Sequence, residues 1–324
     1  MRSEVSMSYF FVRHARPDVP TGRRRCVGKT DIPLGPLGRM QAYLLGQTLH
    51  LPRVYASPLK RAVETASFIG DEVITVPGLE EAYCGEWDGL FFEEIQERWP
   101  ELYEARGKNQ AIEMPGGEPP GEAKARFTEA LSRIPDGSVV VAHNIVICEY
   151  LGLPPGTRLP YASLIVNGSP SVSVPEMTPE LARGLREASG LLPKICLHCD
   201  AVAEEALRLA KGRGLDENLI ECAAILHDVA RLEPEHERIG AEWLRDMGYP
   251  EVADVIAQHG TLRDVSTADE AAAVFLADKY MSNTEKVSID ERYDRTAHKC
   301  VTPEAMERHE KSRAAAKSVE KLFE

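Results

Sequence analysis

Long apolar runs are missing from this 324-residue sequence. No stretch approaches the roughly 18 consecutive apolar residues that a membrane-spanning helix needs, so a membrane protein is not expected. The N-terminal segment MRSEVSMSYFFVRH also lacks the apolar core of a secretory signal before charged residues return. Cysteines number seven, an odd and thinly spread set. That count disfavours a disulfide framework and indicates a reducing, cytoplasmic compartment.

Basic residues are fewer than acidic ones. The chain has 38 Lys and Arg against 51 Asp and Glu, which gives a formal net charge of −13. An acidic chain is not expected to bind nucleic acid or an anionic membrane as its main partner. The acidic net charge does not exclude small phosphorylated metabolites and nucleotides as ligands, because a few local Arg and His side chains or metal ions hold a phosphate.

The length favours two domains, and the first reads as alternating strands and helices. Strands are predicted near residues 8–14, 53–57 and 137–142, and a helical pattern follows each of them. A closing hairpin is predicted from 163–166 and 171–174, around the turn signal Asn167-Gly168. This alternation predicts an α/β layer fold over residues 1–176.

Convincing strands are absent from the second half of the sequence. From residue 179 onward the chain is rich in Ala, Leu and Glu and shows a 3.6-residue apolar period, which predicts an all-α bundle. We place the domain boundary near residue 176, with 177–193 as a linker or first helix. The second domain is therefore predicted to span residues 177–324.

Polar residues follow the predicted strands of the first domain. Arg13 and His14 end the first strand, and His143 ends the third. Arg61 lies on the first turn of the helix after the second strand. Ligands of α/β sheets bind at the carboxyl ends of strands. Paired His and Arg side chains at that edge suit a phosphoryl group, because Arg donates two parallel hydrogen bonds to phosphate and neutral His attacks phosphorus.

Several ordered motifs of the first domain resemble the histidine phosphatase superfamily, also called phosphoglycerate-mutase-like. They are VRHARP (12–17), GKTDIPL (28–34), GRMQA (38–42), YASPLKRAVETA (55–66), LEEAYCGEWDG (79–89), PGGE (115–118) and His143. Ala15 and Asn144 stand where the family usually has Gly. Within the superfamily, RCVGKTD (25–31) is most similar to the α-ribazole-5′-phosphate phosphatase branch.

This resemblance implies a three-layer α/β fold and a role for each matching residue. His14 would be the nucleophile that forms a phosphohistidine. The phosphate would be clamped by Arg13, Arg61 and His143. No metal is implied in this domain.

The resemblance leaves alternatives open for the general acid and for the residues that contact the substrate. Glu81 would protonate the leaving oxygen and then activate water, with its neighbour Glu80 as the competing choice. Arg24 or Arg25 would contact the substrate, unless that basic loop is simply solvated.

The helical half contains a second set of polar residues. Its members are His198, His227, Asp228, His236, His259 and Asp278. His227 and Asp228 close the apolar helix predicted at 219–226, and burying such a pair is costly unless something binds it. Mixed imidazole and carboxylate ligands suit Fe, Mn, Zn or Co better than Ca or Mg.

The segments around these residues resemble the HD-domain metal phosphohydrolases over about residues 193–285. They are LHCDAVA (197–203), AAILHD (223–228), HERIGA (236–241), IAQH (256–259) and LADK (276–279). The resemblance implies one ion held by His198, His227, Asp228 and Asp278. A second ion would be bridged by Asp228 and completed by His236 and His259. Arg231 stands where many of these proteins have Lys.

Together these patterns predict a cytoplasmic two-domain phosphohydrolase with one or two divalent transition metal ions in its second domain. The first domain would hydrolyse phosphomonoesters, and the second a phosphoester or phosphoanhydride of a nucleotide-like substrate. Two alternatives stay open: the HD half is a regulatory ligand-binding module, or the first domain is a phosphomutase. The long C-terminal helix makes a homodimer plausible.

Overall fold

The computed structural model describes residues 9–108, 110, 112–171 and 173–324. The chain divides into two units between Pro175 and Glu176. The first is built on a six-stranded sheet. Its strands are β1 (Phe10–Arg13), β2 (Leu51–Ala56), β3 (Gly70–Thr75), β4 (Val139–Ala142), β5 (Ser163–Val166) and β6 (Ser169–Ser171). They lie in the order β3-β2-β4-β1-β5-β6.

The central strands bring their carboxyl ends to one edge. β4 lies between β1 and β2, and the three strands run parallel. The residues that directly follow these strands are His14, Ser57 and His143. Ser57 and His14 extend the ladder, since their N–H groups donate to the carbonyls of Val141 and Ala142, each at 3.0 Å. Three polar side chains are therefore held side by side by backbone pairing alone.

Helices cover both faces of this sheet. They are α1 (Pro36–Gly46), α2 (Lys60–Ile69), α3 (Phe92–Arg98), α4 (Pro100–Gly107), α5 (Pro120–Leu131) and α6 (Asn144–Leu151), with a 3₁₀ turn at Gly85–Trp87. Side chains alternate along β1, so Phe11 packs with Phe127 and Ile147 of α5 and α6 on one face. Val12 packs with Ala66 of α2 on the other face. The predicted three-layer α/β fold is confirmed.

Two details of the first unit differ from the sequence prediction. Strand β3 was not predicted, because it follows α2 without a break and its second and third residues, Asp71 and Glu72, are exposed acids. The hairpin turn lies at Asn167 and Gly168, both with positive φ (50° and 79°), as a two-residue turn requires. The second hairpin strand was predicted too late in the chain: it ends at Ser171, and residue 172 lies outside the described part.

The second unit is helical. Its helices are α7 (Pro179–Ser189), α8 (Pro193–Ala210), α9 (Glu217–Leu226), α10 (His236–Asp246), α11 (Pro250–Ile256), α12 (Glu270–Tyr280), α13 (Ile289–Ala297) and α14 (Pro303–Phe323). Side chains of Thr178, Asp216 and Asp269 accept from backbone N–H groups and so cap α7, α9 and α12. Helix α9 packs against α7, α8, α11 and α12, so its buried end reaches the centre of the unit.

One short hairpin interrupts the helices of the second unit, where no strand was predicted. Strands β7 (Met281–Ser282) and β8 (Glu285–Lys286) pair antiparallel, and the turn between them holds Asn283 with φ 56°. Two residues per strand are too few to produce a period that sequence inspection detects. In the described part of the chain, no helix combines the length and apolar character needed to cross a membrane.

Candidate active sites

His14 lies directly after β1 and is almost completely buried. Its Nδ1–H donates to the carbonyl of Ala15 at 2.7 Å, since a carbonyl oxygen only accepts. Nε2 therefore carries the lone pair and accepts from Nε–H of Arg61 at 3.3 Å. Burial, reinforced by the charges of Arg61 and Arg13, holds the pKa of His14 well below its usual value. A neutral imidazole with its lone pair at Nε2 is suited to nucleophilic attack.

Arg61 is fixed by a loop that Asp88 organises. The guanidinium donates to the carbonyls of Thr30 (2.9 Å) and Gly28 (2.7 Å). Asp88 in turn accepts from the N–H groups of Gly28, Lys29 and Thr30 at 3.1, 2.7 and 3.3 Å, and from the Thr30 hydroxyl at 2.6 Å. Burial lowers the pKa of Arg61 from its ordinary value, while Glu81 is the first of the acids that oppose the shift.

Arg13 and His143 complete the basic side of this site. The Arg13 guanidinium lies 3.9 Å above the Tyr161 ring and donates to the Leu159 carbonyl. The ring of His143 lies 5.0 Å from that of His14, and its Nε2 is 2.8 Å from the Ser57 hydroxyl. Burial and then the charge of Arg61 hold the pKa of His143 well below its usual value. Arg13 Nε and His143 Nδ1 are buried with no hydrogen-bond partner among the described residues.

Glu81 lies beside the amino end of α6, opposite this basic group. Its carboxylate accepts from the N–H groups of Ala82 (3.0 Å), Ile145 (3.0 Å) and Val146 (3.2 Å). Burial nevertheless raises the pKa of Glu81, so the group keeps a proton at higher pH than an ordinary carboxyl. The competing Glu80 is turned away from the cavity, with its oxygen accepting from Gly78 N–H at 2.7 Å.

Arg13, His14 and Glu81 line a cavity of about 250 Å³, which we call the arginine-rich cavity. Its described lining includes Arg13, His14, Arg16, Arg23, Arg24, Arg25, Glu81, Arg106, Asn144, Arg158 and Tyr161. Arg24 and Arg25, weighed from the sequence as substrate contacts, both line it. Arg61 and His143 lie behind the wall, fully buried.

Sequence inspection missed several residues at this cavity. Arg106 looks like an ordinary charged residue of α4, and Arg158 like a loop residue, so neither carries a signal. Asn144 was noted only as a departure from Gly. Its side chain donates to the Thr157 carbonyl and accepts from Leu159 N–H, both at 2.9 Å, and so holds the loop that carries Arg158.

The second unit brings all six polar residues singled out from its sequence into one group, the His/Asp cluster. They are His198 on α8, His227 and Asp228 after α9, His236 at the start of α10, His259 after α11 and Asp278 on α12. Two subsets present ligand atoms within 4.8 Å of one another: His198, His227 and Asp228, and Asp228, His236 and His259. Asp228 belongs to both subsets, so it is the residue that two candidate metal positions share.

Three histidines of the cluster have the same orientation. Their Nδ1–H groups donate to backbone carbonyls, His198 to Asn283 (2.8 Å), His227 to Ala224 (2.7 Å) and His259 to Ile256 (2.6 Å). Each Nε2 therefore points into the cluster. Metal-ligating histidines are held in this way by carbonyls behind them. The donor set and the buried, unpartnered Nε2 of His227 fit a divalent transition metal ion.

The carboxylates of the cluster are held ionised. Although burial opposes it, the hydrogen bond from His236 and the nearby charge of His227 keep the pKa of Asp228 below its usual range. Asp278 lies 3.1 Å from His198 Nε2 and 2.7 Å from Lys279 Nζ. Lys279 and His198 hold the pKa of Asp278 far below its usual value despite complete burial. Burial lowers the pKa of His259 to about 3, so this ligand is neutral.

Arg231 lies at the rim of the cluster. Its Nη1 is 2.8 Å from His236 Nε2 and 3.3 Å from an Asp228 oxygen. The guanidinium therefore contacts two residues of the cluster. Cys196 and Cys199 lie on α8, and all seven cysteines are free thiols.

Comparisons with known proteins match a family to each of the two units. Residues 9–179 match the histidine phosphatase superfamily (branch 1), and residues 197–283 match the HD domain. Phosphoglycerate mutase-like protein 4 of Arabidopsis thaliana is 36% identical over 152 residues, covering 42% of this chain and 66% of the relative. Phosphoserine phosphatase 1 of Hydrogenobacter thermophilus is 33% identical over 160 residues, covering 44% of this chain and 75% of the relative.

A mycobacterial glucosyl-3-phosphoglycerate phosphatase is among the similar solved structures, at 26% identity and a TM-score of 0.41 over 49% of this chain and 88% of that one. The superfamily match spans more than half of the sequence. The phosphatase relatives agree with it and put the enzyme class among the hydrolases. The chain belongs to the histidine phosphatase superfamily (branch 1) and carries an HD domain in its second half.

Proposed function

We propose that the chain is a two-domain phosphohydrolase, with a phosphatase domain at 1–176 and an HD domain at 177–324. The first hydrolyses a phosphomonoester through a phosphohistidine at His14. The second hydrolyses a phosphoester or phosphoanhydride of a nucleotide-like substrate. The observation that carries the proposal is the neutral His14 Nε2 beside Arg61, with the protonatable Glu81 lining the same cavity.

The first step is a displacement at phosphorus. Nε2 of His14 forms the new N–P bond while the P–O bond to the leaving group breaks and its electron pair goes to the leaving oxygen. Glu81 donates a proton to that oxygen, which its raised pKa supports. Phosphoryl oxygens gain charge in this step, and they are held by donors from Arg13, Arg61 and His143. Glu81, now ionised, takes a proton from the water that breaks the N–P bond.

The HD domain would hold one or two ions of Fe, Mn, Zn or Co. The first would be held by His198, His227, Asp228 and Asp278, and the second by Asp228, His236 and His259. When bound, such ions polarise a phosphoryl oxygen and lower the pKa of water. The chain's own residues orient this site: backbone carbonyls fix the imidazoles, and Lys279 keeps Asp278 ionised. Arg231, beside Asp228 and His236, would donate to a phosphate oxygen of the substrate.

The experiment is phosphate release from a substrate panel by the full chain with added manganese. The panel contains mononucleotides, dinucleoside polyphosphates, cyclic nucleotides and α-ribazole 5′-phosphate, which the similarity of residues 25–31 supports as a candidate. Wild type, His14→Ala and Asp228→Ala run side by side. We expect some substrates to be lost only with His14→Ala and others only with Asp228→Ala.

The same assay, run with and without an added bisphosphate primer, decides between this proposal and its alternatives. If Asp228→Ala loses nothing on the whole panel, the HD domain is a regulatory ligand-binding module. If turnover by the first domain depends on a bisphosphate primer, that domain is a phosphomutase. The homodimer and the cytoplasmic location stay predictions, which gel filtration and cell fractionation test.

A further inference from the structure

The wall of the arginine-rich cavity carries far more positive charge than one phosphate needs. The arginines that line it are Arg13, Arg16, Arg23, Arg24, Arg25, Arg106 and Arg158. Among the described lining residues, Glu81 is the one carboxylate facing them. Such an excess stands out in a chain whose net charge is −13.

Some of these arginines already have contacts with other protein groups. Arg13 lies against Tyr161 beside His14 and belongs to the phosphoryl position. Arg23 pairs with Glu93 at 3.6 Å, and Arg25 donates to the Gly89 carbonyl at 2.5 Å. Arg16 donates to the Arg23 carbonyl at 3.5 Å.

Three other arginines have no ion pair with a carboxylate among the described residues: Arg24, Arg106 and Arg158. They come from three separate segments, namely the loop after β1, helix α4 and the loop after α6. Arg24 and Arg106 both lie against the Phe92 ring, with guanidinium carbons 4.6 and 5.0 Å from its centroid. Tertiary folding, not neighbouring sequence, therefore gathers these charges.

The gathered charges act on one another. Burial and then the charge of Arg24 lower the pKa of Arg158, and Arg106 contributes as well. Burial is also the main cause of the lowered pKa of Arg106, with Arg24 again a like charge nearby. Like charges held together destabilise the empty cavity, and a bound anion relieves that repulsion.

We propose that Arg24, Arg106 and Arg158 form a second anion subsite, so that the substrate is a phosphomonoester that carries a second anionic group. A carboxylate or another phosphoryl group fits, because each accepts the paired donors of a guanidinium. This proposal rests on the proposed phosphatase activity at His14 and narrows its substrate class. α-Ribazole 5′-phosphate has no second anionic group, so the subsite disfavours it.

The test compares matched substrates that differ only in the second anion. Phosphoserine and phosphoethanolamine differ by a carboxylate, and fructose 1,6-bisphosphate and fructose 6-phosphate differ by a phosphoryl group. The full chain is assayed as wild type, Arg106→Gln, Arg158→Gln and the double variant. Arg53→Gln, an exposed arginine on β2 away from the cavity, is the matched control.

The readout is the ratio of kcat/KM within each pair. We expect wild type and Arg53→Gln to prefer the doubly anionic member by at least about tenfold, and each cavity variant to lower that ratio by about tenfold, as loss of a charged hydrogen bond does. The pair with the larger ratio identifies the second anion. Equal use of both members by wild type, or a ratio unchanged in the double variant, overturns the subsite.

Binding to His14→Asn, measured by calorimetry with the same four compounds, separates this proposal from the phosphatase activity. The Arg106→Gln and Arg158→Gln changes are introduced into that background. If no substrate shows His14-dependent turnover but binding still favours the second anion and loses that preference in the variants, the subsite stands and the proposed activity fails. If binding shows no preference, the subsite fails whatever the turnover. Thermal unfolding of every variant verifies that it is folded.

Discussion

Asp88 makes no contact with His14, yet we predict that it controls the position of the Arg61 guanidinium relative to His14. Its carboxylate accepts three backbone N–H groups and one hydroxyl from residues 28–30, whose carbonyls in turn hold the Arg61 guanidinium. Asp88→Asn keeps the shape of the side chain but replaces one acceptor oxygen with a donor NH₂. The new NH₂ then faces another donor. Depending on which oxygen it replaces, that donor is Lys29 N–H, 2.7 Å from one oxygen, or the groups that donate to the other oxygen.

The magnitude follows from the bonds that are lost. A hydrogen bond to a charged group contributes about 1.5–3 kcal/mol. If the loop shifts, Arg61 is displaced and stabilises the transition state less. A decrease close to the free energy of one such hydrogen bond lowers kcat/KM about 10- to 100-fold, since each 1.4 kcal/mol is a factor of ten. Arg61 also lowers the pKa of His14, so its displacement moves the pKa of His14 upward. The acidic limb of the pH–rate profile therefore moves to higher pH.

The assay is p-nitrophenyl phosphate hydrolysis across pH, together with urea unfolding. Glu86→Gln is the matched control, since Glu86 is an exposed acid on the 3₁₀ turn that directly precedes Asp88. It should leave both the rate and the acidic limb in place. Our reasoning is refuted if Asp88→Asn unfolds more easily but keeps the wild-type kcat/KM and acidic limb, because Asp88 would then stabilise the loop without positioning Arg61.

Other expected outcomes concern the acid and the metal cluster. Glu81→Gln should lower kcat about 10²- to 10⁴-fold on an alkyl phosphate and much less on p-nitrophenyl phosphate, whose leaving group needs no proton. With alkyl substrates, the wild-type rate should fall as pH rises through the raised pKa of Glu81, and a flat basic limb would contradict its role. Manganese at about 100 times its Kd should stabilise the chain by about 2.7 kcal/mol in calorimetry, and His227→Ala should abolish this shift.

The sequence predicted best what local pattern determines. The apolar strands around His14 and His143 and the helix before His227 have clear periods, and polar residues at their ends mark the two sites. Parallel pairing of neighbouring strands then brings His14 and His143 together without help from distant residues. The His/Asp cluster was equally predictable, because each member lies in a recognisable segment within or directly after a helix of the second unit.

The sequence could not predict what only tertiary packing creates. Arg106 and Arg158 have ordinary surroundings in the chain and become notable only where they converge with Arg24. Asp88 lies in a recognisable motif, but its function depends on a loop about 60 residues away in sequence. Strand β3 was hidden by its exposed acids, which mask the apolar alternation of an edge strand.

The measurement that tests the central claim most directly is the location of the phosphoryl group during turnover. The full chain is mixed with p-nitrophenyl phosphate, quenched in alkali to preserve phosphohistidine, digested and examined by mass spectrometry. We predict a phosphoryl group on His14 in wild type and none in His14→Asn, which should also release no p-nitrophenol. A phosphoryl group on another residue, or p-nitrophenol release by His14→Asn at the wild-type rate, would contradict this account.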